Sequence, residues 1–357
     1  MAGRERTDDA TLRTRSIKDT RPPGLSILIY KSTMSLGKVV TLSSKAPMPQ
    51  IGLGTWLSKP KEVESAVEFA VRNNYRHLDL AMCYENQDEV GAALKKVIPS
   101  VVKREDLFLT SKLWNTGHRQ DQVEKELDET LAQLGVDYLD LYLIHWPVAF
   151  VPGKGTLQPK HPSKEEAYLD LEPSIVETWK AMIALPKSKV RNIGVSNFTI
   201  EHIKALISAT GVVPTVNQIE AHPLLPQDEL VAFCNENDIK ITAYSPLGNN
   251  LVGKPKLTDY PVVQEIAQKL GATPAQVLIA WGVYRGYIVI PKSVQEERII
   301  SNFKQIELSK EDYEAVSAVG KDNYTRFNIP YTYKPKWDIN IFDEPIEKQA
   351  TNTVKIN

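Results

Sequence analysis

LFLTSKLWNTGHRQDQVEKELDETLAQLGVDYLDLYLIH, residues 107–145, holds one full unit of the pattern that decides this fold. Leu107 to Leu113 and Tyr138 to Ile144 are short runs rich in Leu, Ile, Tyr and Phe. Such runs suit strands covered on both faces. Between them Val123, Leu127, Leu131 and Leu134 recur on one face of a helix, and Gly135 follows as a natural stop. The unit therefore reads strand, helix, strand.

The same unit recurs outward from there. Further strand candidates are Ile51 to Leu57, Leu78 to Leu80, Val190 to Val195, Thr215 to Gln218, Ile239 to Tyr244 and Tyr287 to Ile290. Thr199 can cap a helix carrying Ile200, Ile203, Leu206 and Ile207. Thr273-Pro274 has the form of a cap followed by a first-turn proline, opening Ala275 to Tyr284. One extra helix, Val262 to Leu270, falls between the seventh and eighth strands. Regular alternation of strand and helix argues for a parallel sheet. Eight repeats over this length favour a closed, single-domain (β/α)8 TIM barrel in the α/β class. The rival, an open doubly wound sheet, usually carries G-x-G-x-x-G after its first strand. Here Gly52-Leu53-Gly54 runs into Thr55-Trp56-Leu57, so that fingerprint is incomplete.

The 357 residues are 42% hydrophobic and 24% charged, with a net charge of -1. That balance gives no general attraction to nucleic acid or to anionic membranes, and neither is expected as a partner. No apolar stretch reaches the roughly 18 residues of a membrane span. Two cysteines, Cys83 and Cys234, argue against a disulfide framework and for a reducing, cytoplasmic setting. Cys83 reads as an inert small hydrophobe beside Tyr84. Residues 1–35 carry five arginines with Pro22 and Pro23 and little apolar period. Glu5, Asp8, Asp9 and Asp19 count against a transit peptide, so a disordered extension is expected, with Met34 a possible initiator. The domain proper is placed at 36–345 with a tail at 346–357, of which the polar Glu347 to Asn357 is expected to fray.

In such a barrel the active site lies at the C-terminal ends of the strands. Asp79 and Tyr84 follow the second strand, and Lys112 ends the third. His145 closes the fourth, Ser196 and Asn197 the fifth, and Gln218 the sixth. Tyr244 and Ser245 close the seventh; Lys292 and Ser293 follow the eighth. Each alone reads as solvated surface or a structural hydrogen bonder, but polar groups at one end of seven strands need a reason. Asp79, Tyr84, Lys112 and His145 fit one chemistry. A carbonyl that receives hydride develops negative charge on oxygen and needs a proton there. Tyr84 is the candidate proton donor, and a neighbouring Lys112 ammonium is expected to lower its pKa. Asp79 holds Lys112 charged, and His145 gives the oxygen a second donor.

These residues lie in segments that resemble the aldo-keto reductase family. The segments are Gly52 to Trp56, His77 to Ala81 with Tyr84 and Glu89-Val90-Gly91, Lys112-Leu113-Trp114, and His145-Trp146-Pro147. Ile193 to Phe198, Tyr244 to Gly248 and Ile290 to Ser293 continue the likeness, which spans roughly residues 38 to 345. The resemblance implies Tyr84, Asp79, Lys112 and His145 as a catalytic tetrad. It implies Ser196, Asn197 and Gln218 at a nicotinamide carboxamide, Tyr244 stacked on its ring, and Ser245 and Leu247 near the pyrophosphate. Lys292, Ser293 and Arg298 would face a 2′-phosphate, favouring NADPH, with Asn302 at the adenine and Thr55 and Trp56 also near the cofactor. Ser301 departs from the Glu that relatives often carry.

The resemblance further implies a substrate rim of Trp56, Trp114, His145, Trp146 and Trp337. The loop Val148 to Pro173 and the segment Asn328 to Pro345 are expected to set specificity. Asn328 to Tyr331 with Lys336 to Ile339 resembles fungal members that act on glycerol, glyceraldehyde or related small carbonyls. No metal is expected, since His145 has no His or Cys partner at ligand spacing. A monomer with a small-molecule carbonyl substrate is the expected unit. Two other readings stand: a cofactor-binding regulatory barrel, and a barrel aldolase or hydrolase. An aldolase would need Lys112 free and desolvated, whereas Asp79 would hold it as a cation.

Overall fold

The computed structural model describes residues 37–248 and 253–357. The expectations for residues 1–35 and for Met34 lie outside the described residues. Eight parallel strands follow one another around the sheet: β1 (Leu53–Gly54), β2 (His77–Asp79), β3 (Phe108–Leu113), β4 (Leu139–Ile144), β5 (Val190–Ser196), β6 (Val216–Glu220), β7 (Lys240–Tyr244) and β8 (Ile288–Val289). Their spatial order is their chain order. Parallel bridges Ile51 to Val289 and Gly54 to Lys292 join the first strand to the last, with Gly52 N donating to Val289 O at 3.0 Å. The sheet is therefore closed on itself as a (β/α)8 barrel.

Helices α1 (Glu62–Arg72), α2 (Gln87–Val97), α3 (Gln120–Leu134), α4 (Ile175–Ala184), α5 (Ile200–Thr210) and α6 (Asp228–Glu236) return the chain between successive strands. Two helices, α7 (Pro261–Leu270) and α8 (Pro274–Tyr284), separate β7 from β8. After β8 come α9 (Glu296–Phe303) and α10 (Lys310–Ala318). The punctuation is local. Gly135 ends α3 in the left-handed region at φ 65°. Thr199 and Thr273 accept from the third residue of α5 and α8 as capping boxes. Gly91 has a packing reason: a Cβ there would sit 2.3 Å from the Gln133 carbonyl oxygen, so only glycine lets α2 lie this close to α3.

The two faces of each strand part company. Leu78, Leu109, Leu113, Ile241 and Ala243 point outward into the helix-facing core. The alternate residues point into the barrel. At the N-terminal strand ends these are Phe108, Leu141, Val216 and Ile288, packed with Leu42 and Met48. Met48 lies within, and Leu42 just after, the strands of an antiparallel hairpin, Val39–Thr41 with Pro47–Pro49, which thereby covers that end. At the other end the same parity brings Asp79, Lys112, Ser196, Gln218, Glu220 and Tyr244 to the interior.

Two expectations are corrected. Ile51 to Leu57 is not a full strand: only Leu53–Gly54 pairs as one, because the chain turns at Leu57 with φ 56°. The last residues are not frayed. Asn352–Thr353 pairs in parallel with Ile339–Asn340. The carbonyls of Lys355 and Ile356 accept the first two N–H groups of α4, Ile175 at 2.9 Å and Val176 at 3.3 Å. Those donors have no partner within the helix, so the tail acts as its cap.

Candidate active site

Lys112 is fully buried beneath the mouth of the barrel, and Asp79 nearly so. Neither could hold a charge there without the other. The Lys112 Nζ donates to Asp79 Oδ1 at 2.5 Å, to the Leu80 carbonyl at 2.7 Å and to the Tyr84 hydroxyl at 3.3 Å. Gln218 Nε2 donates to the other Asp79 oxygen at 2.7 Å. The Asp79 carbonyl accepts from Thr55 Oγ1 at 2.9 Å. The three ammonium protons are thus matched by a carboxylate, a carbonyl and one phenol.

Tyr84 ends the short 3-10 turn Met82–Tyr84 that follows β2. It keeps some exposure through the barrel mouth but is enclosed by protein. That enclosure pushes its hydroxyl well above the ordinary tyrosine value, and the Asp79 charge adds to the rise. The sequence-based expectation of a lowered value is corrected. Burial disfavours the phenolate, and Asp79 sits closer to the Lys112 charge than Tyr84 does, offsetting its field. His145 moves the other way. Burial and the Lys112 cation hold it well below its usual value, so its ring is neutral. The Tyr84 and His145 rings meet edge to face at 5.9 Å.

Beside this group lies a second, uncharged polar cluster. Asn197 sits in the left-handed region at φ 65°, and its Nδ2 donates to the His145 carbonyl at 2.9 Å. Its Oδ1 accepts from the Tyr244 hydroxyl at 2.7 Å, which fixes the Tyr244 ring. Ser196 Oγ donates to the Gln218 carbonyl at 2.8 Å. Burial and the Glu220 charge raise the Tyr244 hydroxyl well above its usual value, so it remains a donor. Lys292 is half-buried and donates to the Leu57 carbonyl at 2.8 Å; Arg298 is exposed, while Ser293 and Asn302 are buried. Ser245 takes φ 48°, and Leu247 packs against the core.

The sequence-derived tryptophans divide. Trp114, Trp146 and Trp337 join Phe150 and Met82 in one buried cluster. Trp114 meets His145 at 5.2 Å and Trp337 at 6.0 Å. Trp56 does not join them and remains 38% exposed. Sequence reasoning missed three contributors. Cys83 Sγ lies 3.5 Å from His145 Nδ1. Tyr333 meets Trp146 and Trp337 edge to face, at 6.4 and 5.5 Å. Glu220 is fully enclosed and accepts from the Phe327 and Asn328 N–H groups, each at 2.8 Å, and shares a 2.8 Å hydrogen bond with His222. It anchors the segment that carries Tyr333 and Trp337. The available signal was Glu220-Ala-His222, two ionisable residues at the end of an apolar strand.

The fit to a phosphorylated nicotinamide dinucleotide can be judged from these donors. The Tyr244 ring is held by a hydrogen bond at its far end, leaving an aromatic face for a flat heterocycle. Asn197, Gln218 and Ser196 place amide and hydroxyl groups beside it. Lys292 and Ser293 precede α9 and Arg298 lies in its first turn beside Glu296 and Glu297, where the helix N–H groups and the two cations suit a phosphate dianion. The residues fit the group. Among the described residues no cluster of three or more His, Cys, Asp or Glu could hold a metal ion, and no helix is long and apolar enough to cross a membrane.

Residues 50–321 match the model of the Aldo/keto reductase family. The chain is 53% identical over 331 residues to a D/L-glyceraldehyde reductase of Hypocrea jecorina, covering 90% of this chain and 99% of that one. It is 43% identical to a glycerol 2-dehydrogenase (NADP(+)) of Saccharomyces cerevisiae, covering 80% and 91%. Among solved structures, an aldose reductase of Schistosoma japonicum superposes with TM-score 0.77 at 38% identity, covering 86% of this chain and 99% of that one.

Proposed function

The chain belongs to the aldo/keto reductase family, and from that premise we propose that it reduces a small hydroxy-aldehyde such as glyceraldehyde, with NADPH as reductant and Tyr84 as proton donor. It is an NADP-dependent oxidoreductase acting on carbonyl groups. The observation that carries the assignment of roles is the buried chain Asp79–Lys112–Tyr84, with neutral His145 at its mouth. NADPH, when bound, supplies the hydride; Tyr244, Asn197, Gln218 and Ser196 would hold its nicotinamide and Lys292, Ser293 and Arg298 its 2′-phosphate. Ser245, Leu247, Asn302, Thr55 and Trp56 are assigned to the same site.

As the carbonyl carbon gains hydride, the C=O π pair moves to oxygen. Tyr84 gives its proton to that oxygen, closing the alcohol and leaving a phenolate. A raised Tyr84 value does not obstruct this step, because an alkoxide is a far stronger base than a phenolate. Lys112, held by Asp79, faces the phenolate with its ammonium and stabilises it until solvent returns the proton. His145 offers an N–H to the same oxygen. Trp114, Trp146 and Trp337 wall the site and keep bulk water from it.

The glyceraldehyde reading rests on likeness to the Hypocrea jecorina reductase along nearly its whole length. A cytoplasmic setting is the reading its two free cysteines favour, and a monomer is proposed as the unit. The division into an extension (1–35), a barrel (36–345) and a tail (346–357) is proposed with it. Purified protein should oxidise NADPH when D- or L-glyceraldehyde is added and not before. Tight NADPH binding with no turnover across a panel of aldehydes and ketones would favour a regulatory, non-catalytic barrel instead.

A further inference from the structure

Neutral His145 has one ring N–H, and catalysis depends on which nitrogen carries it. A carbonyl oxygen needs a donor; the wrong tautomer would turn a lone pair toward it. The tautomer of a histidine is normally set by the partner of its other nitrogen, most often a carbonyl or carboxylate. Among the described residues neither is hydrogen-bonded to the His145 ring. Asn197 Nδ2 reaches the backbone carbonyl of His145, not its ring. Trp114, Tyr84 and Trp146 present aromatic edges or faces. Among the described residues, the group hydrogen-bonded to the ring is the Cys83 thiol, with Sγ 3.5 Å from Nδ1.

Resting on the reductase reading above, we propose that Cys83 is a positioning residue that holds His145 in the Nε2–H tautomer by donating S–H to Nδ1. The thiol is a weak acceptor but a usable donor to an sp² nitrogen. Burial keeps it protonated, well above the ordinary cysteine range, so the donor is always present. Its place in the turn is fixed by its neighbour. Cys83 and Tyr84 are consecutive in Met82–Tyr84, so the hydroxyl that gives the proton and the thiol that orients the second donor are set by one backbone turn. The arrangement leaves Nε2–H for the oxygen that Tyr84 protonates. It also gives the thiol a role that needs no thiolate, consistent with Cys83 packing against the apolar cluster that holds Met82, Trp114 and Trp146.

Nitrogen-15 NMR of histidine-labelled full-length protein reads the tautomer directly, independently of turnover. In the wild type and in Cys83→Ser, Nδ1 should resonate as an acceptor nitrogen and Nε2 as a protonated one. In Cys83→Ala the two forms should mix. Cys83→Ala should lose about 3- to 10-fold in kcat with KM little changed, and Cys83→Ser should restore most of it. A proton on Nδ1 in the wild type would overturn the proposal. So would a Cys83→Ala protein that keeps both the Nε2–H tautomer and the full kcat. If no aldehyde is turned over by any form, the reductase reading fails while the NMR spectra still decide the tautomer.

Discussion

Tyr84 keeps its proton because protein surrounds it and Asp79 faces it, and in its proposed role that sets the direction in which it would work well. Reduction needs the phenol, which is present throughout the neutral range. Oxidation of the alcohol needs the phenolate, which is scarce there. Aldehyde reduction should therefore hold steady across neutral pH and fall only at alkaline pH, whereas alcohol oxidation should rise with pH. Tyr84→Phe removes the transferable proton but leaves Tyr244, Asn197, Gln218 and Lys292 intact. It should keep NADPH affinity, measured by fluorescence titration, and lose roughly 10²- to 10⁴-fold in kcat. Retained turnover in that variant would remove Tyr84 from the proton-donor role. The residues of this step were legible as types and spacing. Their protonation was not, because it depends on enclosure by groups far away in sequence. The distance of 139 residues between Gln218 and the Asp79 oxygen it serves makes the point.

At the scale of elements, α3 and the end of β3 meet through Glu126. Its carboxylate accepts from the Trp114 N–H, and burial pushes it up to about 8. The sign follows directly. The folded value lies above the unfolded one, so this group's contribution to stability is complete below about pH 4.5 and is lost as pH rises through about 8. Glu126→Gln keeps an oxygen for Trp114 and does not titrate. It should match the wild type near pH 5 and exceed it in Tm by a few degrees near pH 9. Equal differences at both pH values would show that Glu126 is not buried in its neutral form. The buried face of α3 is plain from Val123, Leu127 and Leu131. Glu126 reads as one more solvated acid in a charged stretch, and only the packing of α3 on the barrel makes it otherwise.

The whole molecule is tied together at its C-terminus. Glu347 accepts the N–H groups of Ile341, Phe342 and Glu344 at 3.2, 3.0 and 3.0 Å. Lys355 and Ile356 cap α4, and Glu220 grips Phe327 and Asn328. Between these anchors hang Tyr333 and Trp337, which cover the site. The loop after β4 is tied in as well, through the Glu166 to Lys336 bridge and a 2.9 Å ion pair between the same residues. Removal of residues 347–357 should leave the α4 donors without partners. It should lower stability by about 1–3 kcal/mol and raise KM for the aldehyde several-fold, with kcat less affected. A truncated protein with unchanged melting and KM would mean that the tail holds nothing in place.

The sequence by itself determined the barrel, because strand and helix periods and their caps are local properties repeated eight times. It also marked the residue types proposed for catalysis, since parity along a strand decides which side chains face inward. Residues 107–145 contain both signals in one unit, ending on His145 and carrying Lys112. Tertiary structure alone decided that Trp56 stands apart from the other tryptophans, that the polar tail is fastened, that Tyr84 is raised rather than lowered, and that Cys83 meets His145. Each of these depends on distances between segments remote in the chain, and no local propensity encodes a distance. Closure of the sheet sets them all at once, by bringing eight strand ends to a single mouth.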